Sequence, residues 1–261
     1  MQTAVDAAAT ESLLAFWRDA GVDACYLDAP VDRTHVEPAP ALKAVARATA
    51  SVSTITVHQA RDATSDARKI AAGADSLEAL AQAVAGFEGC GLRSQGARQA
   101  VFGRGAADAS VLVIGEAPDE ADDASGQPFS GPSGRLLDRM LKAANLTDRV
   151  FITQSVFWRP PGGRSPEAQE QGVCLPFIER AFALIQPRAV LLLGAGTARS
   201  MLQTDEPILR LRGQWRDWRL AEGGLSAPAL ATFHPAFLLR QPHAKAQAWQ
   251  DMLTLAARLD G

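Results

Sequence analysis

The stretch Ser110-Val-Leu-Val-Ile-Gly115 decides the fold. Its apolar residues follow one another without a polar face and stop at a glycine, and the run is too short for a helix. That pattern marks a strand buried on both faces, which in practice means a parallel sheet covered by helices. Ala189 to Gly194 (AVLLLG) repeats the signature. Val150 to Trp158 (VFITQSVFW) and Leu230 to Phe233 read as two further strands. Helical patterns separate them. Gly134 to Asn145 carries Leu136, Leu137, Met140 and Leu141 on one side, and Glu167 to Ile185 is a long helix with Ser165 as its cap and Pro166 at its first position. Ala195 to Leu202 follows the third strand, and Lys245 to Leu259 closes the chain. Strands alternating with helices give an α/β class, a three-layer α/β/α arrangement with a central four-stranded, mainly parallel sheet.

The region before this core reads differently. Glu11 to Asp19 (ESLLAFWRD) begins a short amphipathic helix, and Ala29 to Ala41 is a proline-bearing linker. Residues 42–75 are rich in Ala, Ser and Thr and take no firm assignment. Ser76 to Phe87 is helical, capped by Asp75 or Ser76. The expected division is therefore a small, partly mobile N-terminal accessory region over 1–75 and the main domain over 76–261.

Composition narrows the function classes. The 261 residues carry a net charge of -3 and are 47% hydrophobic, which excludes a disordered or collagen-like chain. No apolar run approaches the roughly 18 residues of a membrane span, and the N-terminus lacks the basic segment of a signal peptide. Three cysteines, Cys25, Cys90 and Cys174, make no disulfide framework, so a cytoplasmic protein is expected. Residues 1–87 hold 7 basic against 11 acidic side chains and residues 88–261 hold 19 against 18, so neither part is a basic nucleic-acid clamp.

In a parallel sheet of this kind, ligands bind beyond the C-terminal strand ends. The first strand ends in Gly115-Glu116-Ala117-Pro118, followed by an acidic loop over Asp119 to Asp123 and then Gly126-Gln127-Pro128-Phe129-Ser130-Gly131. Gln154 lies in the second strand, ahead of Arg159-Pro160-Pro161-Gly162-Gly163-Arg164. The fourth strand runs into His234-Pro235-Ala236-Phe237-Leu238-Leu239-Arg240. A carboxylate, an imidazole, an aromatic ring and an amide are thus directed to one crevice.

Taken in order, VFGRG at 101–105, GEAP at 115–118, GQPFSGPSG at 126–134, RPPGGRSP at 159–166, LLLG at 191–194, RG at 212–213 and HPAFLLR at 234–240 resemble the uracil-DNA glycosylase superfamily. The resemblance is greatest to its family 4, the bacterial and archaeal iron–sulfur branch, and covers roughly residues 88–258. It implies a DNA-repair hydrolase that flips a damaged base out of the stack into a pocket and cleaves its N-glycosidic bond. On that basis Phe129 stacks on the base, with Ala117 and Gln154 completing the base contacts, and His234 donates to the uracil oxygen that becomes anionic. Glu116 or Asp122 positions the water. Arg159, Gly162, Arg164, Ser165 and Arg240 hold phosphates, and Leu238 or Leu239 is the apolar wedge. The implied partner is DNA containing a damaged base, without a membrane, and the protein is expected to be a monomer.

The chain departs from the family pattern at identifiable places. The family's cluster takes four cysteines. Cys90 and Cys174 match two of them, while Phe87 and Trp158 stand at the other two positions, so no metal ligand set remains and the iron–sulfur cluster is expected to be absent. Gln154 replaces the usual asparagine, Asp119 the usual glycine after GEAP, and Asp122 shortens a glutamate. These changes leave open a glycosylase for hypoxanthine or xanthine, or a non-catalytic DNA- or partner-binding protein on the same fold.

Overall fold

The computed structural model describes the backbone of residues 52–220 and 224–260, and side chains from residue 62 onward within those spans. The expected helix at Glu11 to Asp19, the linker at 29–41 and Cys25 lie outside the described residues.

Six strands build one sheet: β1 (Gly103–Gly105), β2 (Val111–Gly115), β3 (Val150–Gln154), β4 (Ala189–Leu193), β5 (Trp215–Arg219) and β6 (Ser226–Thr232). Their order is β1-β3-β2-β4-β6-β5. The four inner strands are mutually parallel, in the register Val111↔Val150, Val111↔Ala189 and Val190↔Ala229. These are the four read from the sequence. The two edge strands pair antiparallel and bring the count to six. Neither has a buried apolar run: β1 is three residues, Gly-Arg-Gly, and β5 reads Trp-Arg-Asp-Trp-Arg with a single buried residue.

The nine helices described are α1 (Val52–Ala72), α2 (Leu77–Gly86), α3 (Glu120–Ser125), α4 (Pro132–Ala143), α5 (Ala168–Ile185), α6 (Ala195–Leu202), α7 (Ile208–Leu211), α8 (Pro235–Arg240) and α9 (Lys245–Asp260). Successive side chains of a strand point to opposite faces, so β2 serves two cores. Leu112 and Ile114 pack with residues of α1, α2, α5 and α6, and Val111 and Val113 with Leu137 and Leu141 of α4 and Met252 and Leu255 of α9. The result is the expected three-layer arrangement.

Several local expectations change. Helix α1 falls in the span read as accessory, yet Ala67, Ala71 and Ala74 enter the same core as Leu80 and Phe177, and Arg180 donates to the Ala74 carbonyl at 2.8 Å. All of α1 belongs to the compact unit that runs to the C-terminus, so residue 75 lies within that unit. Strand β3 ends at Gln154, not Trp158: Ser155 N–H turns to the Gly115 carbonyl, and Val156, Phe157 and Trp158 leave the sheet to fill the core. Helix α5 begins at Ala168 with Glu167 as its cap rather than Ser165, because the Glu170 carboxylate accepts the Glu167 N–H at 2.7 Å and closes a capping box. The acidic stretch is a helix, not a loop. Asp119 caps α3 by accepting from the N–H groups of Ala121 and Asp122.

The last helix is tied to the sheet by a buried ion pair. Asp251 of α9, 2% exposed, accepts from Arg212 at 2.6 and 3.2 Å and from the Thr232 hydroxyl at 2.7 Å. Thr232 ends β6, two residues before His234. Burial pushes the Asp251 carboxyl above its ordinary pKa, and the Thr232 and Arg212 bonds oppose that shift. An Asp251→Ala chain would leave the half-buried Arg212 guanidinium without its counter-ion and the buried Thr232 hydroxyl without its acceptor. Its expected loss is about 3–5 kcal/mol of stability, read from urea unfolding followed by circular dichroism.

Candidate active site

The strand order dictates where a crevice opens. From β2 the chain passes to β3 on one side and then to β4 on the other, so the loops leaving β2 and β4 diverge. A cleft of about 910 Å³ lies at these ends, lined among others by Glu116 after β2, Gly194 and Gly196 after β4, and His234 after β6. Ser165, Arg199 and Arg240 also line it.

Glycine makes this convergence possible. A Cβ on Gly196 would stand 2.6 Å from Glu116 Oε1, and one on Gly194 would stand 3.1 Å from His234 Cβ. A Cβ on Gly115 would stand 2.6 Å from the Phe129 ring. The ring therefore lies directly on the end of β2. Phe129 has φ 58, a left-handed conformation rare for an aromatic residue and often found at functional sites. Gly134, in the first turn of α4, clears the Phe129 carbonyl oxygen, to which a Cβ would approach within 1.6 Å.

His234 caps helix α8: its Nδ1 accepts the Ala236 N–H at 3.2 Å. An accepting Nδ1 leaves the proton on Nε2 in the neutral ring. The imidazole faces Phe129 with ring centroids 5.6 Å apart. Burial holds its pKa below the ordinary 6.5; the Glu116 carboxylate opposes this, Arg240 reinforces it, and Asp119 opposes it. The ring is thus a neutral Nε2–H donor at pH 7.

The two candidate carboxylates are placed differently. Glu116 lines the cleft, whereas Asp122 is 2% exposed and its oxygens are engaged. Asp122 Oδ1 accepts from Ser130 N–H at 2.7 Å, and Oδ2 accepts from the Gln154 amide at 2.8 Å and the Asp119 N–H at 3.4 Å. Gln154 and Phe129 are buried at the end of β2, next to the lining residue Glu116, and Ala117 packs against the core rather than lining the cleft.

The expected phosphate contacts divide. Ser165 and Arg240 border the cleft, and Leu239 is exposed beside Arg240. Gly162 sits in an exposed turn over Pro161–Gly163, and Arg159 is half-buried. Two of the expected DNA contacts are engaged elsewhere. Arg164 is held by Glu170 in two hydrogen bonds of 2.6 and 2.8 Å. Leu238 is fully buried against Phe233 and Leu136, so of the two leucines only Leu239 reaches the surface. Sequence reading missed Gly194, Gly196 and Arg199. The Gly-Ala-Gly after β4 was the available signal, since two glycines at a strand end mark a close approach.

A covered parallel sheet with a carboxylate and a tautomer-fixed imidazole around one crevice has the make-up of a hydrolytic enzyme of the α/β class. Residues 102–253 match the family model of the uracil DNA glycosylase superfamily. A type-4 uracil-DNA glycosylase of Sulfurisphaera tokodaii is 34% identical over 175 residues, covering 65% of this chain and 78% of the relative. Those of Pyrobaculum aerophilum (31% identical; 59% and 81% covered) and Thermotoga maritima (36% identical; 54% and 71% covered) align similarly. The chain belongs to the uracil-DNA glycosylase superfamily, and its relatives group it with type 4.

That grouping corrects the expected absence of a cluster, because type 4 is the iron–sulfur branch. Among the described residues, the cluster positions hold two thiols, Cys90 and Cys174, both free and buried in the same core as the rings of Phe87 and Trp158. Burial pushes the Cys174 thiol well up, and the Cys174 thiol draws Cys90 down. Two thiols are half of a four-thiolate donor set and do not by themselves fit a four-iron cluster; no step below is routed through one.

The glycine contacts predict opposite outcomes for two substitutions. Gly134→Ala drives a Cβ into backbone and is expected to cost more than about 3 kcal/mol. Gly196→Ala meets only the tip of a side chain and gains about 1 kcal/mol of helix propensity, so its melting temperature should hold or rise. Differential scanning calorimetry of both variants checks the contrast.

Proposed function

We propose that this chain is a DNA-repair glycosylase that hydrolyses the N-glycosidic bond of uracil in DNA. The observation that carries the reading is His234, whose Nδ1 is taken by the helix cap, leaving Nε2–H as a neutral donor between Glu116 and Phe129. A neutral donor aimed at charge that develops only on bond breaking stabilises the transition state more than the ground state.

In this mechanism the base leaves the stack and lies against Phe129. The C1′–N1 bond breaks with its electron pair passing into the uracil ring, and His234 Nε2–H donates to the oxygen that gains charge. Glu116 faces the cationic sugar and orients a water, whose oxygen bonds C1′ while its proton passes to the carboxylate and on to solvent. The products are an abasic site and the uracil anion, which takes its N1 proton from solvent to become free uracil. The saturated hydrogen bonding of Asp122 supports Glu116 as the water-positioning group. Arg240, Ser165 and Arg199 border the cleft as backbone contacts, with Leu239 as the wedge. The relatives' names support DNA as the partner. Among the described residues no helix is long and apolar enough to cross a membrane, and we place the enzyme in the cytoplasm as a monomer on the composition reading.

Single-turnover release of uracil from a single-uracil oligonucleotide tests the reading. Wild type should release the base, His234→Ala should be slower by about 10²–10³-fold, and Gly196→Ala should be slower while folding normally, because its methyl displaces the Glu116 carboxylate. A folded wild type that releases no uracil overturns the proposal.

The pH profile follows from the lowered His234 pKa. A folded pKa below the unfolded one means that the unfolded chain binds the extra proton first as pH falls. Stability from this group is complete above about 6.5 and is lost as pH drops towards the folded pKa. The acid limb of excision should accordingly have its midpoint below the ordinary histidine value of 6.5. Arg240→Gln removes a charge that depresses the pKa, so the acid limb of the profile should move to higher pH.

A further inference from the structure

We propose that Asp122 is a specificity-determining positioning residue: it takes one N–H of the Gln154 amide and so fixes which way the amide carbonyl faces the base. The inference deepens the uracil reading above and rests on it. Gln154 is 1% exposed, its Nε2 donates to Asp122 Oδ2 at 2.8 Å, and its Oε1 is buried with no hydrogen-bond partner. An ionised carboxylate can only accept, so the amide that faces Asp122 must present NH₂ to it and turn Oε1 the other way. A buried acceptor without a donor is costly, and native structures rarely keep one without a purpose.

The side chain that carries this acceptor lies next to the ring read as the stacking group. A Cβ on Gly115 would lie 2.6 Å from the Phe129 ring and 3.5 Å from Gln154 Cγ, so both side chains pack against the end of β2. An outward carbonyl with its remaining N–H matches the N3–H and C4 carbonyl of uracil, and the lactam edge of hypoxanthine or xanthine. Cytosine offers the reverse, an acceptor at N3 and a donor at N4, and would set acceptor against acceptor. Asp122 is itself fixed. Ser130 N–H donates to Oδ1 at 2.7 Å and the Asp119 N–H to Oδ2 at 3.4 Å, within the capping box of α3. The helix cap thereby determines which edge of a base the pocket accepts.

Asp122→Asn reverses this logic with one atom. Its Oδ1 must still accept from Ser130 N–H, which turns the new NH₂ towards Gln154, draws the Gln154 carbonyl to it and leaves the amide NH₂ facing the base. The test is binding by fluorescence anisotropy to single-stranded oligonucleotides carrying one 2′-fluoroarabino-uridine or one 2′-fluoroarabino-cytidine, whose fluorine prevents base release. Wild type should favour the uridine strand, and Asp122→Asn should cut the uridine-to-cytidine ratio by roughly 10- to 100-fold. Gln154→Leu should lose the same discrimination, and adding Asp122→Asn to it should change nothing further. An Asp122→Asn chain that weakens both strands equally, leaving the ratio intact, overturns the positioning role while leaving the glycosylase reading in place. A wild type with no preference overturns the base-reading pocket itself. A crystal of the wild-type chain with free uracil needs no variant: Gln154 should keep its bond to Asp122 and accept from N3–H, and a complex in which the amide has left Asp122 overturns the inference.

Discussion

Everything at the crevice depends on space left by missing side chains at the ends of β2 and β4. Parallel strands lie about 4.8 Å apart, and at that spacing three bulky side chains cannot crowd onto neighbouring strand ends unless some positions there carry no Cβ. Gly115 admits the Phe129 ring, Gly194 the imidazole of His234, and Gly196 the tip of Glu116. The strand order supplies the divergence of loops, and the glycines turn that divergence into contact. This is why the conspicuous chemistry of the chain follows immediately after buried strands and not within exposed loops.

The same geometry separates two carboxylates that look interchangeable in the sequence. Glu116 leaves β2 into the cleft, while Asp122 sits in the first turn of α3 with its oxygens committed to backbone N–H groups and an amide. A carboxylate satisfied by several donors holds its neighbours in place and has little left to orient a water. A half-exposed one beside a neutral imidazole retains that capacity. Six residues of spacing thus convert one kind of group into a reactant-facing acid and a structural anchor.

The fold was legible because buried parallel strands are written as local apolar runs, and four of them sufficed to place the site. The edge strands were not: β1 and β5 owe their pairing to neighbours, and their own residues are polar or glycine. That Glu116 and His234 lie at strand ends on the cleft was legible from their position after buried runs. The pairing of Arg164 was not, because it depends on a glutamate six residues on, whose own place is set by the capping of α5. Leu238 and Leu239 are chemically identical, and only the rotation of a short helix puts one in the core and the other in solvent.

The amide shows what a substitution means when read with its partner. Glutamine is one methylene longer than asparagine, and taken alone it would carry the reading group too far into the pocket. Here the added length is taken up by a fold back onto Asp122, itself one methylene shorter than the glutamate usual at its position, so that lengthening one side chain is matched by shortening the other. The pair leaves the Gln154 carbonyl oxygen as a free acceptor. Two departures from the family pattern, each disruptive in isolation, are therefore a single compensated change, and the specificity of the pocket belongs to residues 122 and 154 together.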